Sequence, residues 1–173
     1  MPKVWRIVDL IQWSESYYRE KSHQNPRLEI EWMLCSLLNC ERLDLYMRFD
    51  EPLSGSQLST LRGWVKRRSK NEPLQYITES CEFYGIEFFV DKRVLIPRPE
   101  TERLIDEAIK SIKHVRSPNI FDIGTGSGCI AIALAKEIEN SNVIGIDKSI
   151  MSLQVAKKNS AELNIVNVTF LEM

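Results

Sequence analysis

The stretch Phe121-Asp122-Ile123-Gly124-Thr125-Gly126-Ser127-Gly128-Cys129 decides how this chain is read. It opens as the apolar run Ile120–Ile123, sized for a short buried strand. It then passes through Gly124, Gly126 and Gly128 and runs into Ile130–Ile138, an apolar segment of helical length. Glycines where a strand hands over to a helix let the backbone turn sharply and let a ligand approach the main chain with no Cβ in the way. The helix that follows presents unpaired N–H groups to any anion in front of it.

About twenty residues further on, Asp147 closes a second strand, Val143-Ile144-Gly145-Ile146-Asp147. In nucleoside-binding α/β folds a carboxylate there can take both ribose hydroxyls; the plain alternative is a solvated strand end. The glycine spacing separates two ligand classes. A dinucleotide fingerprint needs Gly-x-Gly-x-x-Gly, but here the position for the last glycine is Cys129, and Gly128 falls one residue early. The run is Asp-x-Gly-x-Gly-x-Gly, which resembles motif I of the class I S-adenosylmethionine-dependent methyltransferases. That ligand has no pyrophosphate, so the loop would wrap its methionine end while Asp147 holds its ribose.

Downstream, Leu153–Leu163 reads as a helix and Val168–Leu171 as a strand, so the second half alternates strand, helix, strand, helix, strand. That order is the signature of a parallel sheet with helical crossovers. Upstream, Glu100-Thr101-Glu102 opens a helix carrying Leu104, Ile105, Ala108, Ile109 and Ile112, with carboxylates that suit its first turn. Leu95-Ile96-Pro97-Arg98-Pro99 is extended, since each proline drives its predecessor out of the helical region. Cys81–Tyr84 and Ile86–Val90 flank Gly85 as a hairpin.

The first seventy residues or so read as short amphipathic helices. Val4, Ile7, Val8 and Ile11, then Tyr17 and Tyr18, recur at helical spacing; Asn25-Pro26 starts a second helix whose stripe is Leu28, Trp32, Cys35 and Leu38, widened by Met33, Leu34 and Leu37. A short segment spans Leu43–Met47, Ser54 or Ser56 caps a helix reaching Lys70, and Pro73 stops it. Two domains joined by a linker follow: a helical bundle over 1–72, a hairpin linker over 73–99 and the start of a parallel α/β sheet over 100–173.

Composition narrows the function classes. The 173 residues are 43% hydrophobic and 27% charged, with 23 Lys+Arg against 24 Asp+Glu and a net charge of −1. That balance disfavours a protein whose main work is gripping nucleic acid, and no direct DNA binding is expected. The basic run Arg62, Lys66, Arg67, Arg68, Lys70 is free of acids, and its plain reading is a solvated helix face. Four scattered cysteines and two histidines offer no zinc spacing, so no metal is expected. Arg6 and Asp9 interrupt the N-terminal apolar residues, leaving no signal-peptide core or membrane span, and a reduced, cytoplasmic setting is expected.

Ile96-Pro97-Arg98-Pro99-Glu100-Thr101-Glu102 resembles the linker motif of the release-factor glutamine methyltransferases, the HemK/PrmC family, and Glu72-Pro73-Leu74-Gln75-Tyr76-Ile77 with Glu82-Phe83-Tyr84-Gly85 resembles the same family's interdomain hairpin. The resemblance implies a class I methyltransferase fold, Rossmann-like, behind a helical domain that helps dock class one peptide-chain release factors. It implies methyl transfer from S-adenosylmethionine to a glutamine amide nitrogen. Gly124, Thr125, Gly126, Ser127 and Gly128 would contact the cofactor, Asp147 its ribose, and Asp122 would orient the methionine end. Phe83 and Arg98 would lie near the cofactor or its lid, the plain alternatives being a packed aromatic and a solvated arginine.

The family's catalytic Asn-Pro-Pro-Tyr, which supplies acceptors for the amide hydrogens, does not occur here. The chain is therefore expected to be a truncated part of such an enzyme, inactive alone. Ile120–Ile123 would then form an open sheet edge, a template for a non-native dimer, for domain swapping or for disorder around residues 140–173. A non-catalytic release-factor-binding module and an adenine-N6 DNA methyltransferase are the alternative readings.

Overall fold

The computed structural model describes residues 4–20 and 25–173. The chain divides between Thr78 and Glu79 into two compact units, helical before the boundary and α/β after it.

The helical unit packs α1 (Ile7–Arg19), α2 (Pro26–Leu38), α3 (Arg42–Met47), α4 (Gly55–Arg68) and α5 (Leu74–Thr78). Its core joins Ile7, Leu10, Ile11 and Tyr18 of α1 to Ile30, Met33 and Leu34 of α2 and to Leu61 and Val65 of α4. Pro26 stands in the first turn of α2, while the side chain of Asn25 makes no cap bond. Ser54, not Ser56, caps α4: its Oγ accepts from Gln57 N–H at 3.3 Å, and Gln57 Oε1 accepts from the Ser54 N–H at 2.8 Å.

Two expectations fail here for physical reasons. The stripe of α2 is turned: Leu28 and Trp32 are exposed, and Glu29 and Glu31 are buried beside Ile30. Arginines make that possible. Arg68 grips Glu29 with two bonds of 2.7 and 2.8 Å. Glu31 accepts from Arg27 at 2.9 Å, Arg42 at 2.7 Å and the Tyr46 hydroxyl at 2.8 Å. Burial pushes the Glu31 carboxyl up, but those three donors outweigh it and hold it below the usual range. The second difference is α5. Helix α4 ends at Arg68, short of the expected Lys70 and five residues before Pro73, whose carbonyl opens the next helix by accepting from Tyr76 and Ile77 N–H.

In the second unit β1 (Ser80–Phe83) and β2 (Ile86–Phe89) pair antiparallel, Phe83 opposite Ile86. The connecting Tyr84 and Gly85 both have positive φ, 53° and 67°, the twist a two-residue hairpin needs. A 3₁₀ turn at Pro99–Thr101 leads into α6 (Glu102–Ile112). Then β3 (Asn119–Ile123), α7 (Cys129–Glu137), β4 (Asn142–Asp147), α8 (Ile150–Glu162) and β5 (Val168–Glu172) alternate, and the strands lie parallel in the order β3-β4-β5. The strand–helix–strand pattern continues through residues 142–172, where disorder was one expectation.

With β4 on one side only, β3 is an edge strand. The expectation of a buried Ile120–Ile123 strand is corrected: Phe121 is 61% and Ile123 78% exposed, as the open-edge expectation holds instead. The middle strand is tightly covered. A Cβ on Gly145 would lie 2.6 Å from Phe170 Cδ1 and 2.8 Å from Thr125 Oγ1, so only glycine lets the loop after β3 sit this close to the sheet.

Candidate cofactor site at the carboxyl ends of the strands

The loop from Gly124 to Gly128 is built on the end of β4. The N–H groups of Gly124 and Thr125 both donate to the carbonyl of Ile146, at 2.7 and 2.9 Å, and Gly128 N–H closes the loop on the Thr125 carbonyl at 2.8 Å. Gly124, Gly126 and Gly128 take φ of 81°, 56° and 81°, the left-handed region that other residues resist. No atom lies within 4 Å of where a Gly124 side chain would begin, so the main chain is open to approach there. Gly128 differs: a Cβ would stand 3.0 Å from Ala156 Cβ, so it serves close packing of α7 on α8.

Two carboxylates organise this loop. Asp147, at the tip of β4, accepts from Gly126 N–H through Oδ2 at 3.0 Å and from Ser149 N–H through Oδ1 at 2.9 Å. A carboxylate has about four lone-pair directions, so roughly two remain for a ligand. Asp122 lies underneath: its Oδ2 accepts from the Thr125 hydroxyl at 2.7 Å and from Ala131 N–H at 3.2 Å. Burial pushes the Asp122 carboxyl up; the Thr125 and Ala131 bonds pull it back, and the charge of Asp147 adds to the rise.

The seven residues singled out in the sequence are thus brought together, in two tiers. Gly124, Gly126, Asp122 and Asp147 are exposed or half-exposed, whereas Thr125, Ser127 and Gly128 are buried. Thr125 spends its hydroxyl on Asp122, leaving its side chain facing the protein. Phe83 is buried against Phe88, ring centroids 6.3 Å apart, and Arg98 is exposed. Sequence reasoning missed Asn159, whose buried side chain holds the Ser127 carbonyl at 2.9 Å. Its signal was a polar residue in phase with the apolar Leu153, Val155 and Ala156 of the buried face.

In the helical unit a groove of about 220 Å³ opens between α1 and α4, with Trp5, Trp13 and Tyr17 on one wall and Leu58, Arg62 and Lys66 on the other. Trp13 stacks on Tyr17 at 4.9 Å and meets Trp5 edge-on at 6.2 Å. The basic run of α4 is split by this geometry. Arg67 is bound to Glu72 and Arg68 to Glu29, while Arg62 and Lys66 line the groove. Among the described residues no group of three or more His, Cys, Asp or Glu side chains could hold a metal ion, and no helix is long and apolar enough to cross a membrane.

Comparison with known proteins gives these features relatives. Residues 9–78 match the PrmC N-terminal domain, and residues 114–173 match a methyltransferase domain. The chain is 43% identical over 171 residues to the release factor glutamine methyltransferase of Geobacter sulfurreducens, covering 99% of this chain and 59% of that protein. It is 40% identical over 163 residues to the protein of the same name from Chlorobaculum tepidum, covering 91% of this chain and 55% of that one. For the Rhodopirellula baltica protein of that name the identity is 39% over 173 residues, covering 97% and 58%. The chain spans less than two thirds of the length of each of these relatives, and along that span it is similar to the release factor glutamine methyltransferases, its first part matching the PrmC N-terminal domain and its last part a methyltransferase domain.

Proposed function

We propose that this chain binds S-adenosylmethionine on its glycine loop and serves the N5-methylation of a glutamine side chain in a class one peptide-chain release factor. The observation that carries the reading is the pairing of Asp147 with Gly126. A carboxylate at the end of β4, fixed by two backbone N–H groups and keeping free lone pairs, lies beside an open left-handed glycine turn. Those free lone pairs are the acceptors that a ribose with two hydroxyls calls for, and they stand beside main chain open to an amino-acid tail. The family names of the relatives agree with it.

When bound, the cofactor would supply a methyl group on a positively charged sulfur. The residues of this chain hold and orient it: Asp147 takes the ribose, Gly124 and Gly126 offer main chain to the methionine end, and Asp122 acts through Thr125 and Ala131 by fixing the loop and the first turn of α7. Acceptors for the glutamine amide hydrogens are the part that Asn-Pro-Pro-Tyr supplies in the family, and that tetrapeptide is not among these 173 residues. Calorimetric titration tests the reading. S-adenosylmethionine binds and NAD does not; saturable binding of NAD alone would sink it.

For the helical unit we propose the docking of the release factor, with the groove between α1 and α4 as the contact. Its aromatic wall accepts an apolar side chain, and Arg62 and Lys66 at its rim favour an acidic neighbour.

A further inference from the structure

Helix α8 carries the polar side chains that hold the hairpin and the segment after it. Ser152 Oγ donates to the Arg93 carbonyl at 3.0 Å, and Lys158 Nζ lies 3.1 Å from the centre of the Phe89 ring. Of the α8 side chains so engaged, Asn159 is the one that reaches in two directions. Its Oδ1 accepts from Phe89 N–H at 2.8 Å, and its Nδ2 donates to the Phe89 carbonyl at 3.1 Å and to the Ser127 carbonyl at 2.9 Å. Toward β2 the side-chain amide thus imitates a neighbouring strand, pairing both main-chain groups of one residue. Toward the loop it fixes the carbonyl between Gly126 and Gly128. The residue is 1% exposed, so these bonds have no competition from water, and three of its four hydrogen-bonding places are filled.

We propose that Asn159 is a positioning residue that couples the cofactor loop to the β-hairpin. The two segments lie about forty residues apart in the chain and are joined through one amide group, so a change in the Ser127 carbonyl is felt at Phe89. A ligand that orders the loop therefore tightens the hairpin, and whatever holds the hairpin raises affinity at the loop by the same factor. This rests on the reading of the loop as the S-adenosylmethionine site. It adds a direction of control that the loop residues themselves do not contain.

The test uses the whole 173-residue chain. In the wild type, saturating S-adenosylmethionine shifts the side-chain amide resonances of Asn159 and slows exchange of the Phe89 amide by about fivefold or more. Asn159→Asp keeps the acceptor for Phe89 N–H but turns an oxygen toward the two carbonyls; Asn159→Ala removes all three bonds. Both lower cofactor affinity by about tenfold and abolish the response at Phe89. A purely structural role would lower the unfolding midpoint and leave the Phe89 response intact. Unchanged Asn159 resonances on saturation of the wild type overturn the proposal without reference to any variant. Failure of the wild type to bind the cofactor overturns the cofactor reading instead. In that case the link stands if Asn159→Asp speeds exchange at both Phe89 and Gly128 in the unliganded chain, and falls if it speeds one alone.

Discussion

The carboxylate of Asp147 accepts the N–H of Gly126, 21 residues earlier in the chain, at 3.0 Å. One hydrogen bond thus ties the tip of β4 to the turn that follows β3, and it brings the proposed ribose acceptor and the proposed methionine cradle into one rigid unit. Because the donor is a main-chain group, no substitution at position 126 can restore the pairing if Asp147 is lost.

Asp147→Ala is therefore expected to weaken S-adenosylmethionine binding by well over tenfold, since charge-assisted bonds of about 1.5–3 kcal/mol are lost and tenfold corresponds to about 1.4 kcal/mol. Asp147→Asn keeps one acceptor and should fall between the two. Titration calorimetry against the wild type decides it; equal affinities would remove Asp147 from the site.

Asp122 and Glu31 give opposite pH signatures. Asp122 has a raised pKa, so its contribution to stability is complete below the ordinary aspartate range and is lost as pH rises through the elevated value. Glu31 has a lowered pKa, so its contribution is complete above the ordinary glutamate range and is lost as pH falls through the depressed value. Relative to wild type, Asp122→Asn should gain stability toward neutral pH and Glu31→Gln should lose it. Urea unfolding of each variant across the acid range to neutrality reads the sign, and difference curves of the same slope would contradict the assignment.

Charge reversal at the groove separates docking from folding. Arg62→Glu with Lys66→Glu alters two exposed positions, and stability should stay within about 0.5 kcal/mol of wild type. Affinity for a class one release factor should drop by about tenfold or more, with a weaker salt dependence. Binding measured on immobilised release factor tests this, and retention of wild-type affinity would move the contact away from the groove.

The edge strand makes its own forecast. Phe121 and Ile123 present apolar side chains on a strand paired along one edge only, and such open edges template pairing between chains. The chain should self-associate in a concentration-dependent way, and Ile123→Lys should shift it toward monomer. Sedimentation equilibrium shows either result; a wild type that remains monomeric throughout would clear the edge of blame.

Where each part of the molecule could be read in the sequence follows from how local its cause is. The loop and Asp147 were legible because left-handed turns demand glycine and a strand-end carboxylate sits at a fixed distance from it. The hairpin turn at Tyr84-Gly85 was legible for the same reason. The face of α2 was not, because Glu29 and Glu31 become buried only when Arg68 and Arg42 arrive from other helices, the latter joining Arg27 of the same helix, to neutralise them. Periodicity assigns charged residues to solvent and cannot anticipate a partner 39 residues away. Asn159 escaped for a related reason: its three bonds go to main-chain groups, which every sequence has and none reveals.

The hairpin is fastened at both ends. At its tip the Tyr84 N–H donates to Glu102 at 3.0 Å and the Tyr84 hydroxyl to Asp106 at 2.9 Å; at its base Phe89 is held by Asn159. A flap needs one free end and a hinge, and this element has neither. It is better described as a strut between α6 and α8, so a force applied anywhere along it is delivered to both helices at once rather than absorbed by bending.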